Sequence, residues 1–127
     1  MLTYTRHLFE GRVGRKRWFL GIVFLGLLGF VVGFIGPLTS GVRGVSVIGI
    51  VVVILLSIVL TVHIYALHVR RLHDFGKSGK LAFLFLIPFV SLVMFFYLLK
   101  RSDPAANTYG APADTTKKFL RDIFNAA

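Results

Sequence analysis

The chain has 127 residues, of which 56% are hydrophobic, yet its 15 lysines and arginines against five acidic residues give a formal charge of +10. A soluble nucleic-acid-binding protein can be this basic, but its hydrophobic fraction would lie nearer the roughly 45–50% of soluble domains. The absence of cysteine excludes disulfides, thiolate metal sites and cysteine nucleophiles.

The chain begins with a basic head over residues 1–17, which an uncharged apolar run follows. Residues 18–35 contain no charged side chain, and Gly36 and Pro37 end the run. Because about 20 apolar residues, and at least about 17, cross the hydrocarbon core as a helix, we predict a first transmembrane helix over residues 18–36.

Two more apolar runs follow. Residues 45–67 are rich in valine and isoleucine but too long for a strand, which predicts a second transmembrane helix. After a basic block over residues 68–80, the uncharged residues 81–99 predict a third helix, with Pro88 inside it. The predicted fold class is an all-α integral membrane protein with about three transmembrane helices, forming one membrane domain over residues 1–114.

The tail, residues 115–127, predicts a short amphipathic helix. Four apolar side chains share one face of it, and three basic side chains lie largely on the other. The apolar face consists of Phe119, Leu120, Ile123 and Phe124.

The distribution of lysine and arginine predicts the orientation. The head holds five and the block over residues 68–80 holds four, whereas the loop over residues 38–46 holds one. Lysine and arginine prefer the cytoplasmic ends of spans, which places the head and the block in the cytoplasm. Three complete spans then put the tail outside, and a hairpin bent at Pro88 would return it inside. We favour the complete span, because about ten residues per arm are too few to cross.

A set of glycines marks one sector of the first predicted helix. Small residues at this spacing let another helix approach closely, which favours packing within the monomer over a homodimer seam. The set consists of Gly26, Gly29, Gly33 and Gly36.

Titratable side chains collect near the end of the second predicted helix. Asp74 is expected to pair with Arg70, four residues earlier, or with Arg12 or Arg15 of the head. His63 lies on the face of Arg70, either as a functional group or bonded to water, headgroup or a backbone carbonyl.

Neither a metal site nor a catalytic set is predicted. His63, His68 and His73 are spaced by five residues, so their side chains diverge around a helix and make a poor ligand set. No carboxylate pair or nucleophile triad stands out, and no cofactor is expected.

Four segments, in order, resemble the signatures of a bacterial inner-membrane family known as domain of unknown function 805. These are residues 9–19 (FEGRVGRKRWF), 70–79 (RRLHDFGKSG), 87–88 (IP) and 107–112 (NTYGAP). The resemblance covers roughly residues 8–112 and departs from the family at Lys80, where an aromatic residue is usual. It implies a bacterial inner-membrane location and about three helices, and it assigns no activity, because the family has none assigned. Its motif positions are Arg12, Arg15, Arg70, Arg71, His73, Asp74, Asn107 and Tyr109.

These features predict an accessory or binding module of the bacterial inner membrane, multi-pass and with a cytoplasmic N-terminus. Its basic face would engage anionic lipid or a partner protein, not nucleic acid, through Arg12, Arg15, Arg70, Arg71, His73, Asp74 and Lys77. One alternative is a subunit of an oligomeric transporter or channel, assembled through the glycines. Another is a membrane-embedded enzyme acting on a lipid phosphate, with His73 and Asp74 as acid–base groups.

Overall fold

Three α-helices and one 3-10 helix have defined bounds within the residues that the structure describes. The computed structural model describes residues 7–40 (36–40 by their backbone alone), 47–113, Leu120 and Ile123. The α-helices are α1 (Arg15–Ser40), α2 (Val47–Asp74) and α3 (Pro88–Leu98). A 3-10 helix, which we call the 3-10 segment, lies between α2 and α3 and covers Gly79–Leu86.

The two long helices, α1 and α2, are apolar enough to cross a membrane over Arg15–Ile35 and Val47–Asp74. Their 26 and 28 residues correspond to about 39 and 42 Å, against about 30 Å of hydrocarbon. Large apolar side chains along them face outward, with Phe30 69% and Ile48 75% exposed. Water-soluble proteins rarely expose a contiguous apolar surface of this extent. With no strand among the described residues, the predicted all-α membrane fold class is confirmed.

Two hydroxyl side chains of α2 hydrogen-bond within the helix, whose sequence is rich in β-branched residues. The hydroxyls of Ser57 and Thr61 each donate to a carbonyl four residues earlier, at 2.8 Å. The helix ends in a Schellman turn, in which the Lys77 N–H bonds the Leu72 carbonyl at 3.0 Å. Gly76 supplies the positive φ of 65° that this turn requires.

The third apolar run differs from the single helix predicted over residues 81–99, because it is divided at Ile87. Proline restricts the residue before it, and Ile87 is extended at φ −97° and ψ 115°. Pro88 then occupies the first turn of α3, where a missing N–H costs nothing. The 11 residues of α3 rise about 16 Å, roughly half the hydrocarbon thickness.

Both ends of this third run lie beside the end of α2. At its start, Gly79 packs against Val69, where an added Cβ would lie 2.6 Å from the valine Cγ1. At its finish, the Leu98 carbonyl accepts a hydrogen bond from Arg71 Nε at 2.8 Å. The run therefore enters and returns at one end of the α1–α2 pair, which is the arrangement of the hairpin alternative.

The hydrophobic core lies at this same end of the molecule. Its fully buried side chains come from the head, α1, α2, the 3-10 segment, α3 and the tail, and include Val13, Trp18, Leu25, Leu67, Leu72, Ala82, Leu98 and Ile123. The predicted amphipathic helix over residues 115–127 lies outside the described residues, apart from Leu120, which is exposed, and Ile123, which is buried.

The close approach of α1 and α2 occurs at Gly21, which the glycine set did not include. A Cβ added there would lie 2.8 Å from Leu67 Cδ1, whereas one at Gly29 would be 4.0 Å from Leu60. At Gly26 and Gly33 an added Cβ would meet nothing within 4 Å. Gly36 is described by its backbone alone, so its surroundings are not compared.

Candidate functional site

A buried ion cluster of Arg12, Arg71 and Asp74 lies where the head meets the end of α2. Arg12 donates through Nε to Asp74 Oδ1 at 3.0 Å, and its Nη2 is also 3.0 Å from this oxygen. Arg71, one helical turn before Asp74, donates through Nη1 to Oδ2. The Asp74 side chain is fully buried, as is that of Arg71. One carboxylate is thus shared by two guanidinium groups.

Local structure brings these three side chains together. Arg71 and Asp74 are three residues apart on α2, and so lie on one helical face. The head runs against this face, because the Val13 N–H bonds the Arg70 carbonyl at 3.3 Å. The predicted pairing of Asp74 with Arg12 is present, and Arg71, which was not among the predicted partners, is a further partner of this carboxylate.

The guanidinium groups also fix the loop that follows α3. Arg12 donates to the carbonyls of Asp103 at 2.6 Å and Ala105 at 2.7 Å. Arg71 donates to the Ser102 hydroxyl at 2.9 Å and to the Lys100 carbonyl. Bonds from these charged donors hold residues 98–105 against the head and the end of α2.

A second contact attaches the loop to the last turn of α2. The rings of His73 and Tyr109 stack at 3.8 Å between centroids and 4° between planes. Asn107 donates from Nδ2 to the His73 carbonyl at 2.9 Å, and its Oδ1 accepts from the Tyr109 N–H, also at 2.9 Å. The motif over residues 107–112 therefore packs on the end of α2.

The predicted binding residues divide into two groups. Four are buried and one, His73, is half-buried, so they do not form an open binding surface; the buried ones are Arg12, Arg70, Arg71 and Asp74. Only Arg15 and Lys77 of the predicted set are exposed.

Further cations at this end were missing from the predicted set. We define the exposed basic surface as the exposed cations at this end, which include the predicted Arg15 and Lys77. Its members are Arg15, Lys16, Lys77, Lys80, Lys100 and Arg101. Their charge is evident in the sequence. Lys100 and Arg101 join the others only because their loop folds back onto the head, for which the sequence has no local signal.

Two of the three histidines of α2, His63 and His68, bond to the helix itself. His63 Nδ1 is 2.8 Å from the Val59 carbonyl, and His68 Nδ1 is 2.7 Å from the Ile64 carbonyl. The His63 contact is the backbone bond that one of the two interpretations expected. Within the described part of the chain, no group of three or more His, Asp or Glu is placed to hold a metal ion.

Comparison with known proteins places most of the chain in one family. Residues 7–111 match the family described as "Protein of unknown function (DUF805)". "Inner membrane protein YhaH" of Escherichia coli K12 is 30% identical over 109 residues, covering 80% of this chain and 84% of that protein. "Inner membrane protein YhaI" of the same strain is 32% identical over 103 residues, covering 80% and 82%. No solved structure matches the chain.

Proposed function

Since the chain belongs to this family of inner-membrane proteins of unknown function, we propose that it is an accessory module whose exposed basic surface binds anionic lipid on the cytoplasmic side. Its location in the inner membrane follows from its relatives and its apolar helices. The lipid ligand and the orientation are the proposed parts.

The observation that carries the proposal is the position of the exposed cations. Arg15 and Lys16 begin α1, and Lys77 and Lys80 follow the end of α2. The ends of membrane-crossing helices lie at the depth of lipid headgroups, and a cation there gains about 1 kcal/mol from an anionic surface. The buried ion cluster supports this surface by holding the loop of Lys100 and Arg101 beside it.

The proposed orientation follows from the same geometry. Loop residues 98–110 contact the head and the end of α2, so the tail shares their side of the membrane. The lysine and arginine bias assigns that side to the cytoplasm. In this topology α1 and α2 cross, and the third run enters and leaves from the cytoplasmic side.

The alternatives rest on fewer features. An enzyme using His73 and Asp74 would need an accessible carboxylate, but Asp74 is fully buried between two guanidinium groups. A transporter subunit would need further copies, for which the open positions at Gly26 and Gly33 are candidate contacts.

Lipid analysis of the purified chain tests the proposal. The tagged protein is extracted in mild detergent from its native membrane, and co-purified lipids and proteins are quantified by mass spectrometry. The matched variant replaces Lys16, Lys77, Lys80 and Arg101 together with glutamine. We expect anionic lipid to be enriched over its share of the membrane with the native chain, and this enrichment to be lost in the variant.

Equal lipid recovery from the native chain and the variant would overturn the proposal. A stoichiometric protein partner without lipid enrichment would replace lipid with that partner as the ligand. A homo-oligomer that retains nothing else would favour transport, and ion or solute flux in liposomes would then be measured.

A further inference from the structure

A cavity of about 280 Å³ opens between the first turn of α1 and the loop after α3. Its walls include Arg15, Lys16 and Arg17 on one side and Arg101, Ser102 and Asp103 on the other. It lies beside the buried ion cluster and shares no side chain with it. Arg15, Lys16 and Arg101 are exposed, so their charged groups are accessible from outside.

The cavity has a strong excess of positive charge. Among the residues that the structure describes, four cationic side chains line it, against the single carboxylate of Asp103. That carboxylate accepts a hydrogen bond from the Ala105 N–H at 3.0 Å, within its own turn. An anion entering the cavity is therefore attracted by the net positive charge of the described side chains that line it.

The start of α1 adds to this attraction. Arg15, Lys16 and Arg17 are consecutive cations in the first turn, which contains no acidic residue. Cations are unfavourable at this end of a helix, where the macrodipole is positive and the first N–H groups lack helical acceptors. A bound anion would offset both the dipole and the repulsion among the three side chains.

The wall opposite α1 is held in place before any ligand arrives. Arg12 donates a hydrogen bond to the Asp103 carbonyl at 2.6 Å, and Arg71 donates one to the Ser102 hydroxyl at 2.9 Å. Arg101 lies between anchored residues, since Arg71 also donates to the Lys100 carbonyl. A site whose backbone is already ordered binds its ligand at a smaller entropic cost.

We propose that this cavity is a phosphate-binding site, filled by the phosphate of a lipid headgroup or of a small soluble phosphate ester. The inference rests on the proposed function and sharpens it from a diffuse basic surface to one site per chain. A fork of guanidinium donors with a neighbouring ammonium matches the geometry and charge of phosphate. The volume, near the lower end of the roughly 300–1,000 Å³ of ligand pockets, suits a small headgroup.

The test compares two double variants of the full chain that lose the same charge. Lys16→Gln with Arg101→Gln removes two cations from the cavity wall, and Lys77→Gln with Lys80→Gln removes two from the same end outside it. Native mass spectrometry in detergent measures retention of phosphatidylglycerol, with phosphatidylcholine as the uncharged comparison. The native chain is expected to retain one phosphatidylglycerol selectively.

We expect the cavity variant to bind phosphatidylglycerol about 30-fold more weakly, at a factor of about five per cation. Lys77 and Lys80 belong to the exposed basic surface but lie outside the cavity, so the outside variant should show a smaller loss, of about threefold, through the general field of that surface. Each single cavity variant should lose about fivefold, and unchanged thermal unfolding would show that the variants fold.

Phosphorus NMR of inorganic phosphate and glycerol 3-phosphate, with the lipid-free chain, distinguishes the source of the ligand. Line broadening that the cavity variant abolishes would assign a soluble phosphate, whereas selective lipid retention without it would assign the headgroup. Equal losses in both double variants would overturn the cavity site while the proposed lipid-binding surface stands. Absence of selective lipid retention and of phosphate binding in the native chain would overturn both.

Discussion

Arg12 and Asp74 are 62 residues apart in the chain and meet in a buried ion pair at 3.0 Å. The carboxylate belongs to the last turn of α2, and the guanidinium belongs to the head before α1. The same guanidinium reaches the carbonyls of Asp103 and Ala105. This pair thus joins the head, the end of α2 and the loop after α3.

Removing the charge of Asp74 should destabilise the whole chain. In Asp74→Asn, two buried guanidinium groups lose their common carboxylate, and breaking a buried pair costs about 3–5 kcal/mol. Thermal unfolding in detergent measures the effect.

Asp103→Asn is the matched control, because Asp103 is exposed and asparagine can still accept the turn bond from Ala105. The control should change stability by no more than about 0.5 kcal/mol, and equal effects of the two changes would contradict a central role for Asp74.

The sequence predicts the apolar helices from local pattern, and from charge it offers Arg12 as one of three candidate partners of Asp74, beside Arg15 and Arg70. It does not predict the return of the third run, since an 11-residue arm and a complete span have equally apolar compositions. The partners of Arg71 are largely main-chain carbonyls, such as that of Leu98. Every residue type has a main-chain carbonyl, so this contact cannot be predicted from the residue types in the sequence.

The sequence also does not distinguish the buried from the exposed members of the predicted binding set, for a related physical reason. Arg71 and Arg15 are the same residue type in similarly basic segments, yet the first is fully buried and the second is exposed. Which arginine is enclosed depends on the loop that covers it. The glycine set illustrates the same limit, because the tight contact at Gly21 depends on Leu67 and on Ile123 of the distant tail.

The stack of Tyr109 on His73 should stabilise the loop against the end of α2. Tyr109→Ala removes the ring and should cost about 0.5–1.5 kcal/mol beyond the loss of buried area. Tyr109→Phe keeps the stacked ring and should behave as the native chain. Hydrogen exchange at residues 107–110 provides the measurement, with faster exchange expected for the alanine variant alone. Equal exchange in the two variants would show that the ring contact does not hold the loop.

The contact between α1 and α2 should tolerate no larger residue at Gly21. In Gly21→Val the added atoms would collide with Leu67, and overpacking of a filled core costs about 1–3 kcal/mol. Gly33→Val makes the same change where an added Cβ meets nothing within 4 Å, so thermal unfolding should change little. If Gly33→Val instead lowers the oligomeric mass measured by light scattering, the open glycine sector is a contact between copies.

Single introduced cysteines test the topology, and no other thiol of the chain is labelled, because the native chain has no cysteine. Ala106→Cys places a thiol on the exposed loop after α3, Ser78→Cys one after α2, and Ser40→Cys one at the far end of α1. Spheroplasts are treated with a membrane-impermeant maleimide before and after permeabilisation. With the third run entering and leaving on the cytoplasmic side, intact spheroplasts should label position 40 alone. Positions 78 and 106 should both label after permeabilisation.

Labelling of position 106 together with position 40 in intact spheroplasts would instead establish a complete third span, and would require the loop contacts with Arg12 and Arg71 to be absent in the membrane.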